Sequence, residues 1–263
     1  MFLAFRHFGK QQVLTMDRIG QVALNTMRLL TDNQKITSAN LANVNTIGFR
    51  KDVSTDVTSS FLRDNTSLED RIFATRKEAG VDLTTSNLNN TDRPLDVAVD
   101  GQGFIVGSST TGEKVITRRG DMKIGVDGKL RNGDGLLIQG GGADITIPAY
   151  EKVAIANDGT ISYKPLGSEG NTMVPAGRID LVSVPASNVI RGLDGFMRVK
   201  NGPLPAADAA VKLSSNTLET SNVSAVDSMV EIIQNQRSYE MQIKLIGTAK
   251  ELDTETAKLM RSS

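Results

Sequence analysis

The side chains that most often perform chemistry are few in this chain, and their spacing forms no reaction centre. The 263 residues include one histidine, His7, and no cysteine. A thiol nucleophile, a disulfide and a cysteine-ligated metal are therefore excluded. Because His7 lies within the first fifteen residues, the rest of the chain has no histidine that could act as a base. Carboxylates are plentiful, but no pair of them stands out in an apolar setting. The sequence thus predicts no catalytic residue, no cofactor and no metal site.

Three aspartates precede glycine at positions that suit hairpin turns, namely Asp127, Asp134 and Asp158. Asp-Gly between alternating apolar segments is the strongest short signal for a hairpin. A calcium loop is excluded because the alternating acidic ligands and the distal glutamate are missing. Arg119-Gly120-Asp121 spells a cell-adhesion tripeptide, which a tight turn between two strands explains.

The bulk composition argues against several classes of partner. Lys+Arg and Asp+Glu total 30 each, so no overall field favours nucleic acid or an anionic membrane. Aromatic residues make up 4 % and tryptophan is absent, which gives little support to a stacking platform for bases or sugars. No stretch approaches the roughly 20 apolar residues of a membrane span. We therefore predict no nucleic-acid partner and no membrane insertion.

An apolar stripe marks a first helical segment over residues 17–44. Val22, Leu29 and Ile36 recur every seven residues, a spacing typical of a helix that packs against another helix. Polar residues dilute the stripe, so this helix would make a poor coiled coil alone, and an ordinary helix on its own core is the alternative. Gly48, which can adopt a positive φ, ends the segment.

A second helical segment occupies the other end of the chain, after the capping pair Ser221-Asn222. Ile232, Tyr239 and Ile246 repeat the seven-residue spacing. The segment continues without proline for roughly 55 Å at 1.5 Å per residue, whereas the average helix has about 11–12 residues. A helix this long usually meets partners along its length.

The fold class predicted from these patterns is α+β. Long N- and C-terminal helices pack together as an assembly layer, with a separate, mainly antiparallel β domain between them. The predicted segments are 1–15, a doubtful N-terminal extension with Met16 as a second possible start; 16–50, the N-terminal assembly helix and turn; 51–92, a connector with weak helical stretches near residue 62 and over 71–79; 93–200, the β-rich middle domain; 201–220, an extended return segment; and 221–263, the C-terminal assembly helix.

Several segments resemble the signatures of the flagellar basal-body rod and hook family. They are residues 38–50, with Asn40-Leu41-Ala42-Asn43 and Gly48-Phe49-Arg50; residues 93–104, 117–121 and 127–130 in the middle; and residues 218–223 and 236–240 near the end. The resemblance runs in order from Met16 to the end of the chain. Hook proteins usually carry larger insertions in the middle than this length allows, so the proximal-rod and distal-rod subunits remain as the candidates within the family. Residues 239–245 look more like the proximal-rod protein.

The resemblance implies a non-enzymatic structural subunit of the flagellar rod, in the basal body where the rod crosses the periplasm. It implies terminal helices that line a central channel, a β domain outside them, transmission of torque, and type III export. The implied partners are other rod subunits, copies of the chain itself and the export apparatus. The residues it assigns to assembly are Asn40, Leu41, Ala42, Asn43, Gly48, Phe49, Asn222, Val223, Gln236, Arg237, Tyr239 and Glu240.

Other interpretations fit the sequence less well. A distal-rod subunit is the alternative within the family. A secreted β-domain adhesin or binding module leaves both long helices unexplained, and a carbohydrate-active or phosphate-binding enzyme would need site residues that are missing. Arg6, His7 and Lys10 interrupt the apolar start of the chain, so we expect export without a cleaved secretory signal.

Overall fold

Two long helices occupy the ends of the chain in the computed structural model, which describes residues 4–53, 58–62, 71–75, 80–170, 172–200 and 202–262. Helix α1 spans Ala4–Ala42 and has 39 residues, and helix α2 spans Ala225–Ser262 and has 38. The first helix therefore extends further toward the N-terminus than the apolar stripe predicted. Over the described residues, neither helix holds a stretch that is both long and apolar enough to span a bilayer.

Between the helices, the described residues form twenty mostly short strands and one 3-10 turn at Ala186–Asn188. In chain order the strands are β1 (Asp52–Val53), β2 (Thr58–Leu62), β3 (Arg71–Thr75), β4 (Gly80–Val81), β5 (Leu88–Asn90), β6 (Val97–Asp100), β7 (Phe104–Ser108), β8 (Lys114–Thr117), β9 (Lys123–Ile124), β10 (Leu130–Arg131), β11 (Leu137–Gly140), β12 (Ala143–Asp144), β13 (Tyr150–Ile155), β14 (Thr160–Pro165), β15 (Val174–Arg178), β16 (Leu181–Val182), β17 (Val189–Arg191), β18 (Met197–Val199), β19 (Lys212–Ser215) and β20 (Thr217–Glu219).

The hairpin of β2 and β3 shows that the weak helical stretches predicted near residue 62 and over residues 71–79 were wrong. The two strands pair antiparallel, with Thr58 opposite Thr75 and Leu62 opposite Arg71. Both runs contain β-branched and aromatic residues, which favour a pleated surface over a helix. Residues 63–70 and 76–79 lie outside the described part of the chain.

The largest sheet is antiparallel and has nine strands. Its main path runs β17-β18-β8-β7-β11-β10-β9, while β12 pairs with β11 and β16 pairs with β7. Strand β7 lies inside the sheet, and all five of its residues are buried. Because successive side chains point to opposite faces, β7 contributes to two apolar clusters. One cluster includes Ile105, Leu130, Ile138 and Ile161, and the other includes Phe104, Val106, Ile116, Val189 and Met197.

The chain divides into two compact units. The β unit comprises residues 40–53 and 79–224 and holds the nine-stranded sheet, and the helical unit comprises residues 1–39, 54–78 and 225–263. Within the helical unit, the Thr37 hydroxyl of α1 donates a hydrogen bond to the Glu231 carboxylate of α2 at 3.4 Å. Two terminal helices and a central antiparallel β unit confirm the α+β class. Whether the helices form an assembly layer remains a prediction.

Candidate functional site

The segment that follows α1 lies against the β unit through Gly48. Its φ is +66°, which confirms the predicted positive φ. The Gly48 N–H donates to the Glu219 carbonyl at 2.8 Å. A Cβ at this position would lie 2.5 Å from the carbonyl carbon and oxygen of Arg118. Glycine is therefore required here for two reasons: the positive φ of the backbone and the close approach of the Arg118 backbone.

A buried carboxylate lies between two buried arginines at the same place. The Glu219 carboxylate accepts a hydrogen bond from Arg50 Nη2 at 2.6 Å and one from Arg118 Nη1 at 3.2 Å. The side chains of both arginines are 0 % exposed and that of Glu219 is 1 % exposed. Two cations around one anion leave an excess positive charge in a buried site, so loss of the glutamate would leave two buried arginines without a counter-charge.

Backbone groups complete the pairing of these three side chains. Arg50 also donates to the Thr84 carbonyl, Arg118 donates to the Gly101 carbonyl at 2.6 Å, and Glu219 accepts from the Ser86 N–H at 3.1 Å. Burial lowers the pKa of Arg118, and the neighbouring Arg50 lowers it further. Among the residues that the structure describes, neither arginine Nε has a hydrogen-bond partner.

Two asparagine side chains, one at the end of α1 and one shortly before α2, bond to the neighbouring residues Asp52 and Lys51. Asn40, in the last turn of α1, donates to the Asp52 carbonyl at 2.8 Å and accepts from its N–H at 2.9 Å. Asn222, three residues before α2, accepts from the Lys51 N–H at 2.7 Å and donates to the Asp82 carbonyl at 3.1 Å. The residues that leave α1 and those that lead into α2 are thus held by the same stretch of backbone.

Arg191 holds the same segment from the β17–β18 hairpin. Its Nε donates to both oxygens of the Asp52 carboxylate, at 2.8 and 3.0 Å, and its Nη2 donates to the Arg50 carbonyl at 2.7 Å. The guanidinium lies over the Phe49 ring, 4.5 Å from the centroid. A cation that is both paired and stacked has little freedom, so this contact orients the residues after Gly48.

We call this set of residues the Glu219 junction: Asn40, Gly48, Phe49, Arg50, Asp52, Arg118, Arg191, Glu219 and Asn222. Four of the residues predicted for assembly lie in it, namely Asn40, Gly48, Phe49 and Asn222. Of the remaining predicted residues, Val223 is buried next to it, and Leu41, Ala42 and Asn43 belong to the end of α1 and the turn after it. The other predicted residues lie exposed on α2 and are not part of the junction: Gln236, Arg237, Tyr239 and Glu240.

The sequence analysis missed all the charged members of the junction as functional positions: Arg50, Asp52, Arg118, Arg191 and Glu219. Arg118 and Glu219 lie 101 residues apart, so no local spacing links them. One local signal was present: Arg118 directly follows strand β8 and Glu219 ends strand β20, and an unpaired charge is costly where such strands enter a core. Charged residues at such positions need a partner of opposite charge elsewhere in the chain.

The adhesion tripeptide is bonded within the chain. Arg119 donates to the Asp121 carboxylate at 2.7 Å and to the Asp134 carboxylate at 2.6 Å. These partners raise the pKa of Arg119, with the Asp121 hydrogen bond as the largest cause. The predicted Asp-Gly turns are confirmed, since Gly128, Gly135 and Gly159 all have positive φ.

The described part of the chain has no metal-binding cluster, and the cleft near the Glu219 junction is small. The described residues hold no group of three or more acidic or histidine side chains arranged to bind a metal ion. A cleft of about 220 Å³ opens beside the junction, between residues 43–50 and the β17–β18 hairpin. Its size is below the roughly 300–1,000 Å³ of typical small-molecule pockets.

Three family models match this chain, in order along its length. "Flagella basal body rod protein" matches residues 21–50, "Flagellar hook protein FlgE/F/G D1 domain" matches residues 98–163, and "Flagellar basal body rod FlgEFG protein C-terminal" matches residues 214–259. The first and third matches include the two segments that meet in the Glu219 junction.

Curated relatives match over most of their length. The flagellar basal-body rod protein FlgF of Salmonella typhimurium is 34 % identical over 254 residues, covering 94 % of this chain and 100 % of the relative. FlgF of Escherichia coli is 34 % identical over 239 residues, with 89 % and 94 % covered. The flagellar basal-body rod protein FlgG of Bacillus subtilis is 30 % identical over 249 residues, with 84 % and 91 % covered.

Proposed function

This chain belongs to the flagellar basal-body rod protein family and is a structural subunit of the rod in the basal body, and we propose that it polymerises there through its two terminal helices. In this proposal, neighbouring subunits cover the helices, and the rod transmits torque through the joined subunits. The helices line the central channel, and the subunit reaches its place through the flagellar type III export apparatus. Its partners are other rod subunits and copies of itself.

The exposed apolar residues of α2 are the observation that carries this proposal. Large apolar side chains along the helix are 45–70 % exposed in the single chain: Val226, Met229, Val230, Ile233, Met241, Ile243, Leu245, Leu252 and Leu259. Scattered apolar residues are normal on a surface, but exposed ones along the whole length of one helix and on more than one of its faces favour burial against other proteins. Burial of these residues by neighbours would supply the stability that the helix lacks alone.

The Glu219 junction supports the transmission of torque. It joins the residues after α1 and the residues before α2 to the β unit through buried charge pairs and short backbone bonds. Such contacts are costly to break one at a time, because each leaves a buried group without its partner. A load applied to either helix would therefore pass into the β unit instead of extending a loose linker.

We further propose the proximal part of the rod as the position of this subunit. Residues 239–245 support that position. FlgF relatives match at 34 % identity and the Bacillus subtilis FlgG at 30 %, which supports a FlgF-type chain. The distal rod is the alternative within the family. A gene replacement tests the choice, since this chain should restore swimming to a strain without its FlgF but not to one without its FlgG. The opposite pattern of complementation would overturn the proximal assignment.

Two neighbouring positions on α2 test the proposed role of the helix. Ile243 is 52 % exposed, and Lys244 beside it is also exposed. We expect Ile243→Asn to abolish swimming and remove the subunit from purified basal bodies, because it replaces an apolar side chain that the proposal places against a neighbouring subunit. Lys244→Asn is the matched control and should swim. Equal incorporation and equal swimming of the two variants would contradict polymerisation through α2.

A further inference from the structure

The loop between β10 and β11 contains Asn132-Gly133, and asparagine followed by glycine is the residue pair most prone to deamidation. In that reaction the Gly133 backbone nitrogen attacks Cγ of Asn132, so an N–C bond forms and the Cγ–Nδ2 bond breaks. The amide proton of Gly133 leaves with Nδ2 as ammonia. Water then opens the succinimide ring and gives aspartate or isoaspartate. Glycine permits the attack because it carries no side chain that would hinder its nitrogen.

The folded loop requires both residues of this reactive pair. Asn132 Oδ1 accepts hydrogen bonds from the backbone N–H groups of Asp134 and Leu136, each at 3.0 Å, and these bonds shape the loop. A Cβ on Gly133 would overlap the Asp121 carboxylate, so no other residue fits there without displacing that side chain. The chain therefore carries a chemically labile pair at a position where its fold needs asparagine and glycine.

The hydrogen bonds of the folded loop hold the Asn132 side chain in place. Asn132 is 3 % exposed, and its Nδ2 has no hydrogen-bond partner among the described residues, so its oxygen alone fixes the amide. Ring closure would turn Cγ toward the Gly133 nitrogen and break the bonds that Oδ1 accepts. The buried N–H of Leu136 would then lose its acceptor, which is costly, so the folded state opposes this movement.

The Gly133 amide is restrained by a neighbouring carboxylate. Its N–H donates to Asp121 Oδ1 at 3.3 Å, and Asp121 is itself held by Arg119, whose Nε and Nη2 donate at 2.7 and 3.0 Å. The attacking nitrogen must lose this proton and gain negative charge. A fixed carboxylate that accepts the N–H stabilises the protonated amide and repels the negative charge, so it slows the attack.

We propose that Asn132 is a deamidation site that the folded β unit closes and that unfolding opens. Unfolding removes the bonds to Oδ1 and the contact with Asp121 together, so it frees both reacting groups at once. Deamidation at this residue then records the time that a chain spends unfolded. The inference goes beyond the proposed function, because it rests on contacts within the β unit and on no neighbouring subunit.

Either product of the reaction should weaken the loop. Isoaspartate adds a methylene group to the main chain, which shifts the register around the Asn132 N–H that donates to the Leu136 carbonyl at 3.0 Å. Aspartate places a carboxylate in a buried position, and Arg119 beside the loop already pairs with Asp121 and Asp134. A buried charge without a free counter-charge is destabilising. Chains modified before folding should therefore fold less stably than unmodified ones.

Ageing of the full-length subunit, folded and in guanidinium chloride at the same pH and temperature, tests the proposal directly. Peptide mass spectrometry counts the Asn132 amides that have become acids. We expect the folded rate to be at least about tenfold lower, because a reaction confined to open states scales with their population. Asn201-Gly202, the other Asn-Gly pair of the chain, provides a reference rate in guanidinium chloride. Equal folded and unfolded rates at Asn132, or a faster folded rate, would overturn the proposal. So would an Asn132 that stays intact in guanidinium chloride while Asn201 reacts.

Three variants test whether the contact with Asp121 closes the site. Asp121→Ala removes the acceptor of the Gly133 N–H, and we expect faster deamidation of Asn132 in the folded chain. Asp121→Asn removes the charge but keeps an acceptor oxygen, so its rate should stay below that of Asp121→Ala. Asp180→Ala is the matched control, since Asp180 accepts two glycine N–H groups in the β11–β12 turn, each at 2.9 Å, and it should leave the rate at Asn132 unchanged. If Asp121→Ala reacts no faster than the unsubstituted chain, or if Asp180→Ala accelerates the reaction equally, the proposed closure is wrong.

Asn132→Asp reproduces the aspartate product and tests its effect on the fold. We expect a lower urea midpoint for the isolated full chain, because the new carboxylate is buried. Asn157→Asp is the matched control: Asn157 is exposed, and its Oδ1 accepts the Ser215 hydroxyl at 3.0 Å, which a carboxylate can also accept. An equal urea midpoint for the two variants would overturn the predicted effect of the product.

Discussion

The β unit and helix α2 differ in how much of their side-chain surface the single chain buries. In the β unit even charged side chains are enclosed, as Arg50, Arg118 and Glu219 show. In α2, Ser228 is the only buried residue among those whose side chains the structure describes, while Met241 and Leu259 are 61 % and 69 % exposed. The β unit thus completes its core within one chain, whereas α2 keeps exposed apolar residues along its length. If the proposed polymerisation covers them, we expect the β unit to fold before assembly and α2 to complete its burial during assembly.

The largest effect should come from the charged centre of the β unit. Glu219→Gln leaves two buried arginines without their anion, and we expect a loss of about 3–5 kcal/mol in the free energy of unfolding. Urea unfolding of the isolated full chain measures it. Glu151→Gln is the control, because Glu151 pairs with Lys164 while 54 % exposed, and an exposed pair contributes about 0–1 kcal/mol.

A triple replacement sharpens the interpretation of Glu219→Gln. Arg50→Met, Arg118→Met and Glu219→Leu together remove every charge of the buried centre. Apolar replacement of a whole buried ion network is often neutral or stabilising, so the triple variant should be more stable than Glu219→Gln. If the triple variant were as unstable as Glu219→Gln, the cost would not come from the unpaired arginines.

The next effect in size should come from Gly48. We expect Gly48→Ala to cost about 2–4 kcal/mol, since strain from the positive φ adds to overlap with the Arg118 backbone. Gly112→Ala is the matched control, with φ +82° and no heavy atom within 4 Å of the added Cβ. Its cost should be about 1 kcal/mol, from the backbone conformation alone. Equal costs in urea unfolding would show that the close approach at Gly48 is unimportant.

A smaller effect is expected at Arg191. Arg191→Lys keeps the charge but loses the two-pronged bond to Asp52 and the stacking on Phe49, at an expected cost of about 1–2 kcal/mol. Arg93→Lys is the control, because Arg93 is 54 % exposed and meets Asp96 at 3.6 Å. If urea unfolding gave the same loss in the free energy of unfolding for both variants, the positive charge of Arg191 alone would account for its contribution.

The smallest effect is a pH dependence at the β17–β18 turn. The hydrogen bonds from Arg198 lower the pKa of Asp194 from 3.8 to about 2. Because the folded-state pKa is the lower one, the contribution of Asp194 to stability is complete above the unfolded value near 3.8 and is lost as the pH falls toward 2. Carboxyl NMR titration should show this low pKa, and in Arg198→Gln it should rise toward 3.8. An unchanged pKa in Arg198→Gln would exclude Arg198 as the cause.

The sequence predicted the parts of the fold that depend on local signals. Seven-residue spacing found both helices, and Asp-Gly pairs found turns such as Asp127-Gly128, because backbone preference there is set by neighbouring residues. Strands β2 and β3 were misassigned as weak helical stretches because the sequence between them, residues 63–70, contains no Gly or Pro that would predict a turn. The Glu219 junction was found only in part. Its two asparagines, Asn40 and Asn222, came from the family resemblance, while the pairing of Arg50 with Glu219 spans 169 residues and has no local signature.

Amide hydrogen exchange of the full-length subunit, free in solution and within purified basal bodies, tests the central comparison most directly. We predict slow exchange in β7 and β8 in both states, because the β unit completes its own core. In α2 we predict fast exchange in the free subunit and slow exchange in the basal body, because in the proposal neighbours cover its exposed apolar residues only there. If the α2 amides of the free subunit were protected as strongly as those of β7, the account of a helix completed by assembly would be contradicted.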